Sequence, residues 1–468
     1  MQKKAFLTTA FMATSAMLLA IAPSMAQDKV TIDWFVGLGT GTNEQQIAAQ
    51  DQVVADFKAS HPNIELVITL AASNTAATDT LSTLIASGNA PDIVGPVGYA
   101  GSNAFADQWM DLTSLVEETG FDLSQYPEEL VALYQTEDGL TGLPFAVFPS
   151  FIYYNADLFD EAGLEYPPSE YGAPYIDAEG NEVEWNWDTV AELAKTLTVD
   201  ANGNDATSAD FDPAAIEQFG FIHQWAATRS EWSSFGGAPL WDAETQTVSV
   251  PENWREQAQW SFDRLWVDHT IPNSTYDASA LLNGNAFNTG SVAMARSFLW
   301  YTCCLGDLDA NFNVAPLPAY NGSYFATVDA DTFRMVKTTE HPQEAFEVLT
   351  YLQGEASLDL LAVYGGLPAR SSDRDTYFTG LDERYPGLNR AVIEESLTYA
   401  VSPHHEANFP NFAEGFARLN EFRTLLYSDS GATMDVNAEL DKLEVELQAI
   451  LTRDPSEAAP AEATAEGS

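Results

Sequence analysis

The chain predicts an α/β fold built as two lobes, and three observations carry that expectation. Residues 30–70 run strand, loop, helix, strand, which is the unit of a wound α/β lobe. The stretch Leu140–Gly163 contains an apolar, aromatic run bounded by Pro and Gly, the signature of a buried extended segment. The length, 468 residues, exceeds what one hydrophobic core usually supports. Composition is globular, 46% hydrophobic and 12% aromatic, which is ample material for two cores.

The first 26 residues read as a secretory leader. Lys3 and Lys4 supply the positive end, Ala5–Ala22 is apolar, and Ser24-Met25-Ala26 forms a small-x-small cleavage site before Gln27. A membrane anchor is the competing reading. The Thr and Ser residues inside the run and the cleavage site after it favour the leader. With 69 acidic and 19 basic residues, the chain is a poor partner for nucleic acid or anionic membranes. The balance equally describes a solvated acidic surface.

Val30–Val36 alternates and is rich in β-formers, so it reads as the opening strand. The loop Gly37–Gly41 follows, and Thr42-Asn-Glu-Gln45 reads as a capping box for a helix running to Pro62. Ile64–Leu70 is the next strand. The glycines do not form G-x-G-x-x-G, which argues against a nucleotide site. The loop still puts bare N–H groups, at Gly39 and Thr40, beside a helix start at the carboxyl end of a strand. Open α/β sheets bind ligands there. Leu81–Gly88 reads as a helix tail, Asn89–Val94 as a strand and Gly95–Tyr99 as a loop.

In the run at 140–163, Phe145–Tyr154 is the extended part and Ala156–Ala162 a short helix stopped by Gly163. A Tyr/Pro/Gly-rich insertion covers Tyr166–Glu184, and a helix opens at Trp187-Asp188. Asp200–Asp205 looks like a calcium loop, but its Gly stands at position four and no Glu at twelve, so a tight turn is expected. Gln218–Ile222, Phe312–Pro318 and Tyr324–Met335 read as extended segments. Pro342–Leu352, Glu355–Tyr364, Leu419–Tyr427 and Val436–Leu451 read as helices. The Ala/Glu/Pro-rich end, 454–468, reads as a disordered tail.

Catalytic signatures are scarce. There is no G-x-S-x-G and no H-E-x-x-H. His404-His405 with Glu406 is the one clustered group, without a third separate ligand, so neither a metal nor any cofactor is expected. Cys303 and Cys304 are the only cysteines, and they are adjacent. They are either two buried thiols or a vicinal disulfide, which would make a rigid apolar plate beside Trp300 and Tyr301.

Several segments resemble the sugar-type extracellular solute-binding proteins of ABC importers, a maltose-binding-protein-like family. Tyr153–Leu164 carries Y-Y-N-x-D-L-F-x-x-A-G-L ahead of Pro167-Pro168, and Ser87–Ile93 carries S-G-x-x-P-D-I ahead of Trp109-Met-Asp111. Phe287–Met294 carries F-x-x-G-x-x-A-M. The resemblance implies a type II-like periplasmic-binding-protein fold with three interlobe crossings: the segment at 140–163, that around Asp329 and Asp331, and that from Leu367. It divides the chain into residues 28–145 with 330–370, and 146–329 with 371–453.

The same resemblance nominates Tyr99, in the loop after P-D-I, Trp300 after A-M, and Asn408 with Phe409 in a ligand loop. Phe148, Trp225 and Trp232 join them as aromatics near strand ends or crossings, though core packing is the competing role for each ring. A stacking ring covers the apolar face of a sugar, while Asp329 or Asp331 accepts from its hydroxyls. The implied protein is a monomeric periplasmic receptor that closes over a neutral mono- or oligosaccharide and delivers it to the membrane subunits of an ABC importer. No catalytic residue is nominated. The departures from the family are the 166–184 insertion, the Cys-Cys pair and Gln27 where lipid-anchored relatives have Cys. The alternatives are a receptor for a polyol or glycerol phosphodiester, and a secreted glycoside hydrolase.

Overall fold

The computed structural model describes residues 29–454. The expected leader and residues 455–468 of the expected tail lie outside them. The chain begins with β1 (Val30–Val36), α1 (Glu44–Ser60), β2 (Ile64–Leu70), α2 (Asn74–Ala86) and β3 (Ile93–Gly98). β1 pairs parallel with both β2 and β3, as a wound lobe requires. Two sequence expectations shift here. Asn43, not Thr42, caps α1, its side chain accepting from the Gln46 amide, because the Thr42 hydroxyl is used on Asn74. The expected loop Gly95–Tyr99 is mostly strand: Val97 and Gly98 pair with a distant strand that local pattern cannot show.

β4 (Leu143–Asn155) follows, and all 13 of its residues are buried. It runs into α3 (Ala156–Ala162), whose first amides donate to the Asn155 side chain and which stops at Gly163 in the left-handed region. The insertion forms a small hairpin, and its Tyr171 packs 4.4 Å from the Tyr399 ring and hydrogen-bonds Ser396. Next come α4 (Trp187–Thr196), β5 (Val199–Asp200), β6 (Ile216–His223), β7 (Val292–Phe298), β8 (Phe312–Ala315) and β9 (Val328–Met335). In the turn after β5, the Asp200 carboxylate accepts from the amides of Asn202, Asn204 and Asp212. α5 (Pro342–Gln353), α6 (Ser357–Tyr364), β10 (Leu367–Pro368), α7 (Phe412–Tyr427) and α8 (Val436–Leu451) follow, with further helices between these elements.

One mixed sheet joins both halves, in the order β2-β1-β3-β9-β4-β7-β6-β5, with β8 and β10 also on β4, and among the described residues three two-stranded hairpins lie outside it. β4 belongs to both halves. From Leu143 to Pro149 it pairs antiparallel with β9. From Ser150 to Tyr154 it pairs with β7, and from Ile152 to Asn155 with β8. The change of partner falls at Pro149, which has no N–H to offer a ladder, while the Ser150 amide turns to the Thr327 carbonyl. A strand covered on both faces needs a continuous apolar run, which is what the sequence supplies.

The cores follow the same division. One cluster runs along β4 through both halves and includes Trp34, Phe145, Phe151, Tyr153, Phe298 and Phe333. A second lies in the later half around Trp187, Phe221, Trp232 and Trp254, and a third around Phe35, Leu81 and Trp109 in the first. Among the described residues no helix is long and apolar enough to cross a membrane.

Phe151 is fully buried just past the partner change. Phe151→Ala is expected to lower the unfolding free energy by about 3–5 kcal/mol, read from the urea midpoint at unchanged slope. A loss of only a few tenths would show that the junction is not tightly packed.

Candidate functional site

A cavity of about 430 Å³ opens where the two halves meet. Its first wall is the loop between β1 and α1. Gly41, at φ 100°, leaves no room for a side chain, since a Cβ there would come 2.2 Å from Val36. Two helix residues clamp the loop. Gln46 accepts from the Gly41 amide and donates to the Thr40 hydroxyl, and Gln50 donates to the Gly41 carbonyl and to the Tyr364 hydroxyl. Asn74, at the start of α2, donates to the Gly39 carbonyl. Gly39 and Thr40 are thereby fixed at the cavity wall, with Thr42, Asn43, Gln46, Asn74, Gly98 and Tyr364 beside them, and the Gly39 amide is not bare as expected but donates to the Gly37 carbonyl.

The floor comes from the shared strand and its neighbour. Asp329 and Asp331 are two apart on β9 and so share a face. Asp329 stands opposite Phe148, and Asp331 opposite Ala146 and Gly98. All three side chains, Phe148, Asp329 and Asp331, line the cavity.

The far wall is aromatic. Trp225 and Trp300 lie nearly parallel, 11° apart with centroids at 6.3 Å, and both stand edge-on to Tyr301. Trp225 holds the left-handed φ of 52°, leaves 47% of its surface exposed and donates its indole N–H to the Gly284 carbonyl. Such a backbone outlier at a cavity mouth is typical of a functional position. Trp300 donates its indole N–H to Asp329 Oδ2 at 2.8 Å, and His405 Nε2 meets Asp329 Oδ1 at 3.0 Å. Both oxygens of Asp329 are thus engaged, and the carboxylate acts as a bracket that sets the Trp300 ring. Cys303 and Cys304 form a vicinal disulfide and complete this wall, which resolves the two sequence alternatives in favour of the bonded form.

Glu406 closes the rim from the later half. Its carboxylate accepts from the Ala100 amide, and its carbonyl from Asn103, so it ties the 404–407 segment to the turn after β3. His404 is a neutral Nε2–H tautomer: that atom donates to the Val328 carbonyl while Nδ1 accepts from the Glu406 amide. Asp329, His405 and Glu406 offer ligand atoms within 4.8 Å of one another, the one such trio among the described residues. Asp329 is bonded to Trp300 and His405, and one Glu406 oxygen to the Ala100 amide.

The structure therefore brings Gly39, Thr40, Phe148, Trp225, Trp300, Cys303, Cys304, Asp329 and Asp331 to one cavity. It places the other nominated residues elsewhere. Trp232 is buried in the second core against Trp254 and Phe422. Phe409 is buried beneath the Arg229 guanidinium, which grips the Ala407 and His404 carbonyls, and Asn408 next to it is exposed. Tyr99 packs on His404 behind the rim. Sequence reading missed Thr42, Asn43, Gln46, Asn74, Gly98, Tyr364 and Glu406. Only Glu406 carried a local signal, its place in the His404-His405 cluster. Tyr364 reaches the cavity through Gln50, 314 residues away, and Asn74 through Gly39, 35 residues away.

Burial and the neighbouring Asp329 push the Asp331 carboxyl up to about 7. Burial, then Asp329 and Asp331, push Glu406 up to about 8, against the pull of the Ala100 amide. The folded chain therefore holds protons that the unfolded chain, with ordinary carboxyls, has released. That stabilisation is full below about pH 4 and is lost as pH rises through the folded values. The empty protein is expected to melt at a lower temperature at pH 8 than at pH 5, and Asp331→Asn to shrink that difference by part of a few kcal/mol. Equal pH slopes in differential scanning calorimetry would contradict the raised Asp331 value.

Comparison with known proteins bears on this geometry. The family model described as bacterial extracellular solute-binding protein matches residues 41–358. An arabinooligosaccharide-binding protein of Halalkalibacterium halodurans is 23% identical over 318 residues, 66% of this chain, and the match spans 64% of that relative's length. Among solved structures, the ABC substrate-binding protein Lmo0181 from Listeria monocytogenes in complex with cycloalternan is 19% identical at a TM-score of 0.71, covering 90% of this chain and 98% of that one. UgpB from Mycobacterium tuberculosis in complex with glycerophosphocholine is 16% identical at 0.69, covering 90% and 98%. Maltose-bound MalE3 of T. maritima is 18% identical at 0.67, covering 90% and 100%. The matched model spans well over half of the chain and includes the paired carboxylates, and by that match the chain belongs to the bacterial extracellular solute-binding protein family.

Proposed function

We propose that the protein is an exported receptor that closes over a carbohydrate and passes it to the membrane subunits of an ABC importer. The observation that carries the reading is the wall chemistry of the interlobe cavity. Parallel indoles and a disulfide face a rim of carboxylates, side-chain amides and hydroxyls. A pyranose needs that combination, an apolar plate for its C–H face and acceptors and donors for its hydroxyl edge. Relatives named for an arabinooligosaccharide, cycloalternan and maltose agree with it.

The lobes of this reading are residues 28–145 with 330–370 and 146–329 with 371–453, and the ligand sits against both. Closure by hinge motion would exclude water and strengthen each hydrogen bond. The crossings would pivot near Pro149, Thr327 and the segment after Leu367. No covalent step is required, and Asp329, tied to Trp300 and His405, is placed for orientation and not for proton transfer. A glycerol phosphodiester, as on UgpB, is the second reading. It fits less well, because no Lys or Arg lines the cavity.

Titration calorimetry over mono- and oligosaccharides is expected to find saturable binding with the sugar recovered intact. Trp300→Ala and Trp225→Ala should each weaken it by about tenfold or more. Release of shorter sugars would establish a hydrolase instead, and unchanged affinity in both variants would remove the stacking wall from the site.

A further inference from the structure

The charges inside the cavity are all of one sign. Asp329, Asp331 and Glu406 line it, and no basic side chain does. The buried guanidinium groups nearby are committed behind the walls. Arg229 holds the Ala407 and His404 carbonyls, Arg296 holds Ser230 and Thr327, and Arg334 holds Ser102 and Thr141. The three carboxyls are not equivalent. Asp329 has both oxygens engaged, by Trp300 and His405. Glu406 has one oxygen on the Ala100 amide. Asp331 makes no side-chain hydrogen bond or ion pair among the described residues, although it faces the cavity from the floor of the sheet. That leaves three carboxylate oxygens, two on Asp331 and one on Glu406, without a protein donor.

Closing a cavity over two carboxylates without a counter-charge is expensive, and hydroxyls of a neutral ligand do not supply one. An ammonium group supplies both the charge and three N–H donors, one for each free oxygen. The indole faces of Trp225 and Trp300 favour a cation a second time. Resting on the carbohydrate reading above, we infer that the ligand is a saccharide carrying a protonated amine, with the amine held between Asp331 and Glu406. In the empty protein the two carboxyls meet the same problem by keeping protons, with values raised to about 7 and about 8. An incoming ammonium displaces those protons.

The test uses the full mature chain and four probes: a glucosamine trisaccharide, its N-acetylated counterpart, a glucose trisaccharide, and ethanolamine as a primary ammonium without a sugar. The glucosamine oligomer is expected to bind at least about tenfold more tightly than either uncharged sugar. The ratio should fall toward one in Asp331→Asn and in Glu406→Gln, each checked for an intact melting transition. In the unaltered protein its affinity should rise between about pH 5 and pH 7 as the two carboxyls ionise, while that of the uncharged sugars does not.

The groups facing Asp331 are Asp329, Glu406, Tyr364 and Tyr134. Those facing Glu406 are Asp329, Asp331, Arg229, His405, Tyr99 and Tyr134. His404 and His405 beside them are kept neutral-leaning by burial, so the two carboxyls are the groups that titrate in that window. Uncharged sugars binding as well as or better than the amine would overturn the inference and leave the carbohydrate reading standing. Ethanolamine binding as tightly as the amino sugar would overturn the assignment to a saccharide. No binding by any sugar would overturn both.

Discussion

The structure depends on one strand being shared. β4 is buried along its whole length and hydrogen-bonds one set of neighbours before Pro149 and another after it. A single rigid element at the centre of two half-sheets constrains the halves to meet along a line and leaves a crevice beside it. The parallel strands β1 and β3 end their carboxyl termini at that crevice, so their loops open there without further design. Mixed burial would not achieve this. The strand must be apolar on both faces, which is why the run from Phe145 to Tyr154 is so rich in rings and so poor in charge.

Around the crevice, rigidity comes from hydrogen bonds that are satisfied inside the protein. The loop of Gly39 and Thr40 is clamped by Gln46, Gln50 and Asn74, and the Trp300 ring by Asp329, itself held by His405. Groups with all their partners present position the site. Groups lacking partners, Asp331 above all, are the ones available to a ligand. Preorganisation of this kind lets a receptor bind without spending affinity on ordering its own walls.

Much of the fold was legible from local pattern. Val30–Val36, Ile64–Leu70 and Val436–Leu451 match observed elements residue for residue. The shared strand is visible as a run with no polar phase. Misreadings fall where a distant partner decides. Gly95–Gly98 looks like a loop because Gly and Pro disfavour strands locally, yet β9 pairs with it. Thr42 is a good cap by composition, but Asn74 draws its hydroxyl away.

The site divides the same way. Chemistry that needs a residue type in a recognisable local setting, such as Trp300, Asp329 and the adjacent cysteines, could be nominated from the chain. Trp232 and Phe409 could not be told from these, because a ring at a strand end and a ring under a core look alike until packing is known. Periodicity and composition thus determined the element order, the two-lobe class and the kind of side chain available. Only the tertiary structure decided which rings face the cavity, which carboxyl oxygens are engaged and which are left without donors. Those properties depend on neighbours 29 to 306 residues away, and spacing along one chain carries no record of them.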